Sequence, residues 1–285
     1  MKRAVVVGVD GSAQSEAAAR WAAEEARRSG RVLRMLHVAA DGGGLAPADE
    51  PTDRLPAPVA EIRDRVAAGW PELTISCEQV TGSPYYALAA AGERAGLLVL
   101  GSRGLGAVVG RLVGSVGLRT AAHSRCPVVL VTERADGPAD GRGEVVVGIQ
   151  SDRPCDAVLA FAFEQAARRG VALRAVEAWT PPTGPYVTEA PLGQQAIRES
   201  LATARLVHLQ DALGRWREKF PGVPSEAEVV GGGAADALRV ASRGASLVVV
   251  GRRAPGQPMA APHLGTVAHV VLHHAHSPVA VIPHD

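Results

Sequence analysis

Gly101, Gly104, Gly114 and Ser115 set the first chemical expectation. Two glycines, two residues apart, follow the apolar run Leu97 to Leu100. Nine residues later a glycine–serine pair opens a helical pattern. Glycine has no Cβ, so its backbone N–H groups can approach a ligand closely. A helix start adds unpaired N–H groups and the positive end of the helix dipole, which together seat phosphate. Arg103 and Arg111 bring positive charge to the same loop, although solvated surface charge explains Arg111 equally well. The chemistry expected of this stretch is the holding of a nucleotide's phosphates.

Such a loop needs a scaffold, and the chain in front of it reads as one. Ala4 to Asp10 is a near-continuous β-branched run, the pattern of a parallel strand buried on both faces. Gly11 and Ser12 turn the chain into a helix over 13–29, with Gly30 as its stop. Strands follow at 32–39, 74–80, 97–100 and 127–131, and helices at 59–70, 84–95 and 114–124. Residues 41–58 are rich in Gly, Pro and Asp and read as a loop. Alternating strands and helices predict a doubly wound α/β fold with a parallel sheet. With strand order 3-2-1-4-5, the ligand crevice lies between the carboxyl ends of the first and fourth strands. Asp10 and Gly101 end those two strands, so a carboxylate faces the glycine loop.

After a polar stretch, Thr132 to Gly143, the series restarts. Val145 to Gln150 echoes Val5 to Asp10. Val230 to Leu238 (VGGGAADAL) lies 150 residues after Val80 to Leu88 (VTGSPYYAL), and Leu247 to Gly251 lies 150 after Leu97 to Gly101. Ser277-Pro278-Val279 matches Cys126-Pro127-Val128. The reading is two tandem domains, 1–133 and 144–285, joined by a linker at 134–143, each with its own five-stranded sheet.

Composition bounds the function. The 285 residues suit two domains, and 47% apolar content suits two cores. A net charge of +1 argues against nucleic acid or a membrane surface as the main partner. The basic residues comprise 28 arginines and only Lys2 and Lys219, a bias that points to a GC-rich genome more than to a function. Cys77, Cys126 and Cys155 have no metal-ligand spacing and read as reduced thiols of a cytoplasmic protein. The first strand begins almost at once, so no signal peptide is expected, and no apolar run reaches membrane-spanning length.

Gly101, Gly104, Gly114 and Ser115 also resemble the nucleotide signature of the universal stress protein family: Gly, two residues, Gly, nine residues, Gly, then Ser or Thr. Val9-Asp10, His37-Val38 and Cys126-Pro127-Val128 are similar to other stretches of that family, and the resemblance covers nearly the whole chain, twice. It implies an adenine nucleotide α-hydrolase-like fold and a site for ATP, with Mg²⁺ left open. The implied nucleotide-binding set is Gly8, Asp10, Val38, Gly101, Arg103, Gly104, Gly114, Ser115 and Val116. Asp10 and Val38 would hold the nucleoside end, Val38 through its backbone. Gly101, Arg103 and Gly104 would line the ribose and first phosphates. Gly114, Ser115 and Val116 would seat the outer phosphates. The resemblance further implies a regulatory or sensing role in stress response, toward a protein partner that the sequence does not name. It implies pairing of the final strands, between the two domains or across a homodimer.

The second copy departs from this pattern. Gln150 replaces the aspartate, Ala254 replaces the second glycine, and ten residues separate it from Gly265-Thr266. Pro255, Pro258 and Pro262 remove N–H donors from its loop. The expectation is a degenerate loop with weak or absent ATP binding, in a domain kept mainly for pairing.

Other readings fall away or stand as rivals. His263, His269, His273, His274, His276 and His284 tempt a metal assignment, but surface and helix-end histidines explain them better, because no carboxylate or cysteine joins them locally. Gly104, Gly106 and Gly110 lack dinucleotide spacing, and no P-loop or HExxH motif occurs. Asp10 has no visible catalytic partner, so no catalytic residue is assigned and at most slow ATP hydrolysis is expected. The rivals are a slow ATPase or nucleotidyl-transfer enzyme, and a scaffold that binds no nucleotide. Trp21, Trp70, Trp179 and Trp216 are expected in cores or domain contacts. Leu201, Leu206, Leu209 and Leu213 are expected to pack a long helix, 192–219, on its sheet.

Overall fold

A computed structural model of the chain describes residues 3–39, 48–52, 55–102, 113–132, 143–180, 191–253 and 264–284. The first half runs β1 (Val5–Val9), α1 (Ala13–Ser29), β2 (Leu33–Ala39), β3 (Ala48–Thr52), α2 (Ala57–Gly69), β4 (Ile75–Thr81), α3 (Pro84–Arg94), β5 (Leu97–Gly101), α4 (Ser115–His123) and β6 (Val128–Val131). The second half runs β7 (Val145–Gly148), α5 (Asp156–Arg169), β8 (Leu173–Trp179), α6 (Pro191–Lys219), β9 (Ser225–Gly231), α7 (Ala234–Ala241), β10 (Leu247–Arg253), α8 (Thr266–His274) and β11 (Val279–His284).

Within each half the parallel order is the expected 3-2-1-4-5: β4-β2-β1-β5-β6 and β9-β8-β7-β10-β11. Two features correct the sequence reading. The halves do not form two separate sheets, because the final strands pair between the two domains, as the family resemblance implied. β6 and β11 pair antiparallel through Val279–Leu130, Ala280–Val129 and Val281–Val128, giving one eleven-stranded sheet. All four residues of β6 are buried, so leaving this edge bare would expose both backbone and apolar surface. The stretch 41–58 is also not all loop: β3 adds an antiparallel edge strand to β4. Pro51 suits an edge strand, where a missing N–H costs no ladder bond.

Each face of the sheet carries one core. Ala18 of α1, Ile62 of α2, Leu159 of α5 and Leu209 of α6 pack on one face. Leu88 of α3, Ala121 of α4, Leu238 of α7 and Val271 of α8 pack on the other. Gly30 and Gly170 end α1 and α5 in the left-handed conformation (φ 59° and 67°), as their stop positions require. Only the carboxyl half of α6 packs as expected: Leu209 and Leu213 are fully buried, whereas Leu201 is 38% exposed. A helix of 29 residues spans about 44 Å, nearly twice the roughly 23 Å of a seven-residue strand, so its amino half overhangs.

On the α1/α5 face the halves meet in a polar knot. Glu25 accepts from Gln165 Nε2 at 2.8 Å, from Arg168 Nη1 at 3.4 Å and from Arg169 Nη2 at 3.3 Å. The Arg169 guanidinium also lies 5.2 Å over the Trp21 ring, so Trp21 is a domain contact. Trp179 and Trp216 are buried.

Candidate functional site

The crevice at the carboxyl ends of β1 and β5 gathers most of the expected residues. β1 ends at Val9, opposite His37, while β2 runs on to Ala39 and β5 ends at Gly101, and the crevice opens past this strand end. Val5 N–H donates to Val32 O, and Leu33 N–H donates to Thr74 O. The alternation of the ladder therefore turns the main chain of Val38 toward β1, at the level where β1 stops. On the other side Leu98 N–H and Ser102 N–H donate to β6, so Gly101 likewise turns its main chain toward β1. Val38 and Gly101 thus border the crevice from opposite sides. His37, beside Val38, caps the end of β1 with an Nδ1 contact of 2.9 Å to Val9 O.

Asp10 stands where β1 gives way to α1, and it has a local structural task. Its Oδ1 accepts from Ser12 N–H at 3.0 Å and from Ser12 Oγ at 2.6 Å. Ser12 Oγ in turn accepts from Ser15 N–H at 3.1 Å, which caps α1. Gly11, at φ 86°, makes the bend that lets Asp10 reach forward. The place of Ser12 ahead of an Ala-rich helix is the sequence signal for this cap, which goes beyond the turn expected of Gly11 and Ser12.

The glycines divide by cause. At Gly101 a Cβ would lie 2.8 Å from the carbonyl carbon and oxygen of Gln14, so the close approach of α1 demands glycine there. At Gly8 a Cβ would come within 2.6 Å of Leu100 Cδ2, again a packing demand. Packing alone accounts for glycine at both positions. Gly114 is the N-cap of α4, and its N–H is already given to Ser102 O at 2.7 Å. It therefore closes the loop between Ser102 and itself instead of presenting a donor. Among the described residues, the open donors are those of the first helical turn, at Ser115 and Val116, because α4 has neither a side-chain cap nor an acidic residue there. Ser115 is exposed and Val116 half-buried. Arg103, Gly104 and Arg111 lie outside the described residues.

The second half shows what replaces this arrangement. β10 does not stop at Gly251. It runs on, pairing Arg252 with Pro283 and Arg253 with His284 of β11. Arg252 is 6% exposed and donates from Nη2 to Ser124 O, at the C-cap of α4, at 2.6 Å. Burial holds its guanidinium below its ordinary range, and Nε has no partner among the described residues. Gln150, in the place of Asp10, is exposed. The start of α8 keeps the uncapped form of α4, with Gly265 as N-cap and no acidic residue in the first turn. Ala254, Pro255, Pro258 and Pro262 lie outside the described residues.

The histidine-rich end does not assemble into a larger ligand group. The His269 and His273 rings lie 4.7 Å apart on α8, and burial, then the neighbouring His269 and His274, holds His273 below the usual imidazole range. Among the described residues no three His, Cys, Asp or Glu side chains cluster. Nor, among them, is any helix long and apolar enough to cross a membrane.

Comparison with known proteins fits this geometry. A family model described as the universal stress protein family matches twice, at residues 1–132 and 142–283. Universal stress protein Rv2005c of Mycobacterium tuberculosis is 33% identical over 97% of this chain and 96% of its own. Two solved structures share the fold along the chain. A functionally unknown protein from Pseudomonas aeruginosa PAO1 has a TM-score of 0.68 at 14% identity, over 99% of this chain and 92% of its own. A universal stress protein from Archaeoglobus fulgidus has a TM-score of 0.60 at 16% identity, over 98% of each chain. The chain belongs to the universal stress protein family and carries two copies of the family's domain in tandem.

Proposed function

We propose that the first domain binds an adenine nucleotide, ATP, and that occupancy of this site biases an interaction or conformation in stress response. The observation that carries the reading is the uncapped start of α4. It stands in the signature spacing Gly101, Gly104, Gly114, Ser115, on the strand pair where the sheet order reverses. Unpaired N–H groups at Ser115 and Val116 and the positive helix end suit phosphate. Val38 and Gly101 offer main-chain groups at the crevice for the nucleoside, and Asp10 stands at its rim. Domain limits of 1–133 and 144–285 around a linker at 134–143 follow the same reading. Three free cysteines suit the reducing cytoplasm.

Two measurements test the reading together. The purified protein is denatured and the released small molecules are weighed by mass spectrometry. The stripped, refolded protein is then titrated with ATP in a calorimeter, with and without Mg²⁺. The expected results are an adenine nucleotide in the extract and one ATP site per chain. Stripped protein that takes up no ATP removes the proposal.

A further inference from the structure

We propose that a cavity at the seam between the two domains binds a small phosphomonoester with an apolar body. The cavity, of about 310 Å³, lies where the amino ends of β5 and β6 meet α5 and the end of β11. That is the opposite end of the first domain's strands from the nucleotide crevice. Arg31, Arg125 and Arg168 line it together with the carboxylates Glu25 and Glu164, against apolar walls that include Leu97, Phe161 and Ile282.

The three arginines are not equally committed. Arg168 is tied to Glu164 at 2.7 Å and to Glu25 at 3.4 Å. Among the described residues neither Arg31 nor Arg125 makes a hydrogen bond or ion pair, and the buried Nε of Arg31 has no partner. Arg31 lies against the backbone at Gly96. A Cβ there would fall 2.7 Å from its Nη1, so glycine makes room for the charge. Burial, and then the nearby Arg168, holds Arg31 below its ordinary range against the attraction of Glu25 and Glu164, so its charge is only partly compensated. An anion in the cavity would relieve that.

Two uncommitted positive groups match the charge of a phosphomonoester, about −1.5 to −2 at neutral pH. Guanidinium forks bind phosphate oxygens bidentately. The apolar walls call for a body that leaves water, and the volume, at the small end of ligand cavities, limits that body to about one ring. The repeat does not duplicate this chemistry. Val171 stands in the place of Arg31, and His276 in that of Arg125, so one site per chain is expected.

Phenyl phosphate is the probe, titrated into the full chain at about 50 mM salt, where screening is modest. The expected result is a single site, filled equally well with or without saturating ATP, and weaker binding of inorganic phosphate, which lacks the apolar body. Arg31→Met and Arg125→Gln should each weaken phenyl phosphate at least about tenfold, the loss of one charge-assisted contact. Arg125 is exposed, so its variant tests the site without disturbing a core. No binding by the parent, binding by either variant as tight as the parent's, or displacement by ATP would overturn the proposal. The ATP site is tested separately by calorimetry without phenyl phosphate, so loss of phenyl phosphate binding in the arginine variants leaves that reading untouched.

Discussion

The two domains share one scaffold and part company at one strand end. In the first, β5 stops at Gly101, and the start of α4 after Gly114 has no side-chain cap. In the second, β10 continues to Arg253, and the backbone that a phosphate loop would present is spent on ladder bonds to Pro283 and His284. The extension also redirects a side chain. Arg252 crosses the seam and donates to the C-terminal carbonyl of α4, where the negative helix end favours a cation. The position after the strand-end glycine, Ser102 in one copy, is Arg252 in the other, where it anchors the partner domain. Folding requirements were kept through the duplication while the crevice chemistry was reassigned.

Breaking this contrast begins with the two N-cap glycines. Both have extended backbones, with φ −73° at Gly114 and φ −60° at Gly265, so valine is sterically allowed at each. Valine is a poorer N-cap than glycine, and both variants carry that same cost, about 1 kcal/mol or less. Bulk at the helix start should nevertheless matter only where a ligand sits. Gly114→Val should lower ATP affinity about a hundredfold or more in calorimetry, equivalent to roughly 2.7 kcal/mol, whereas Gly265→Val should leave it nearly unchanged. Equal losses in the two variants would erase the asymmetry between the domains.

How far these features could be read from sequence follows from their physics. The strand runs and αL helix stops are local signals, and the repeat supplied their order, so the α/β scaffold was legible. The continuous sheet was half legible: β6 and β11 were apolar enough to need covering, but pairing them is a contact across 128–281 that no local pattern fixes. β3 was missed because a loop-like composition with Pro51 hides an edge strand. At the site, the signature gave positions but not causes. Gly8 and Gly101 are explained by Leu100 and Gln14, contacts between elements that spacing cannot reveal. Gly114 spends its N–H on Ser102 for the same reason. The knot around Glu25 was missed although the repeat held the clue, since Glu25 and Gln165 occupy equivalent places in the two copies.

That equivalence sharpens the comparison at the seam. Two identical first domains meeting through this face would set one Glu25 against another, both buried and like-charged. The tandem chain sets Glu25 against Gln165 and adds Arg168 and Arg169, with Arg169 only 4% exposed at its side chain. Desolvation, only partly offset by Glu25, holds the Arg169 guanidinium down at about 10, so this knot depends on its carboxylate. Gln165→Glu should therefore destabilise the chain by about 2–3 kcal/mol, through the carboxylate pair it creates in a buried setting. Urea unfolding is the measurement. The exchange variant, Glu25→Gln with Gln165→Glu, should recover most of the loss, because one carboxylate again faces the two arginines. A single variant as stable as the parent would show that the seam does not discriminate between the copies.

The smallest expected effect concerns acid. On α1, Glu24 accepts from Arg27 at 2.6 Å and from the Trp70 indole at 3.1 Å, and it pairs with Arg28 at 2.9 Å. The Arg27 hydrogen bond is the main cause that brings its carboxyl down from 4.5 to about 2, with Trp70 and the charges of Arg28 and Arg27 adding to it against burial. Its counterpart on α5, Glu164, has Arg168 but finds Ala167 where Arg27 would stand. A carboxyl with a depressed folded value stabilises the fold fully above its unfolded value and loses that contribution as pH falls through the folded one. For Glu24 the loss runs from about 4.5 down to about 2. Because the partners are partly exposed, screening cuts the worth of this clamp to about 1–2 kcal/mol. Urea unfolding at pH 5 and pH 3 should show the parent losing more stability than Glu24→Gln by roughly 1 kcal/mol, since the amide cannot titrate. Tryptophan fluorescence adds the spatial reading, because Trp70 belongs to the clamp in the first domain and Trp216 lies on α6 of the second. On acidification the Trp70 region should respond before the Trp216 region, and simultaneous responses would mean that the clamp sets no difference between the halves.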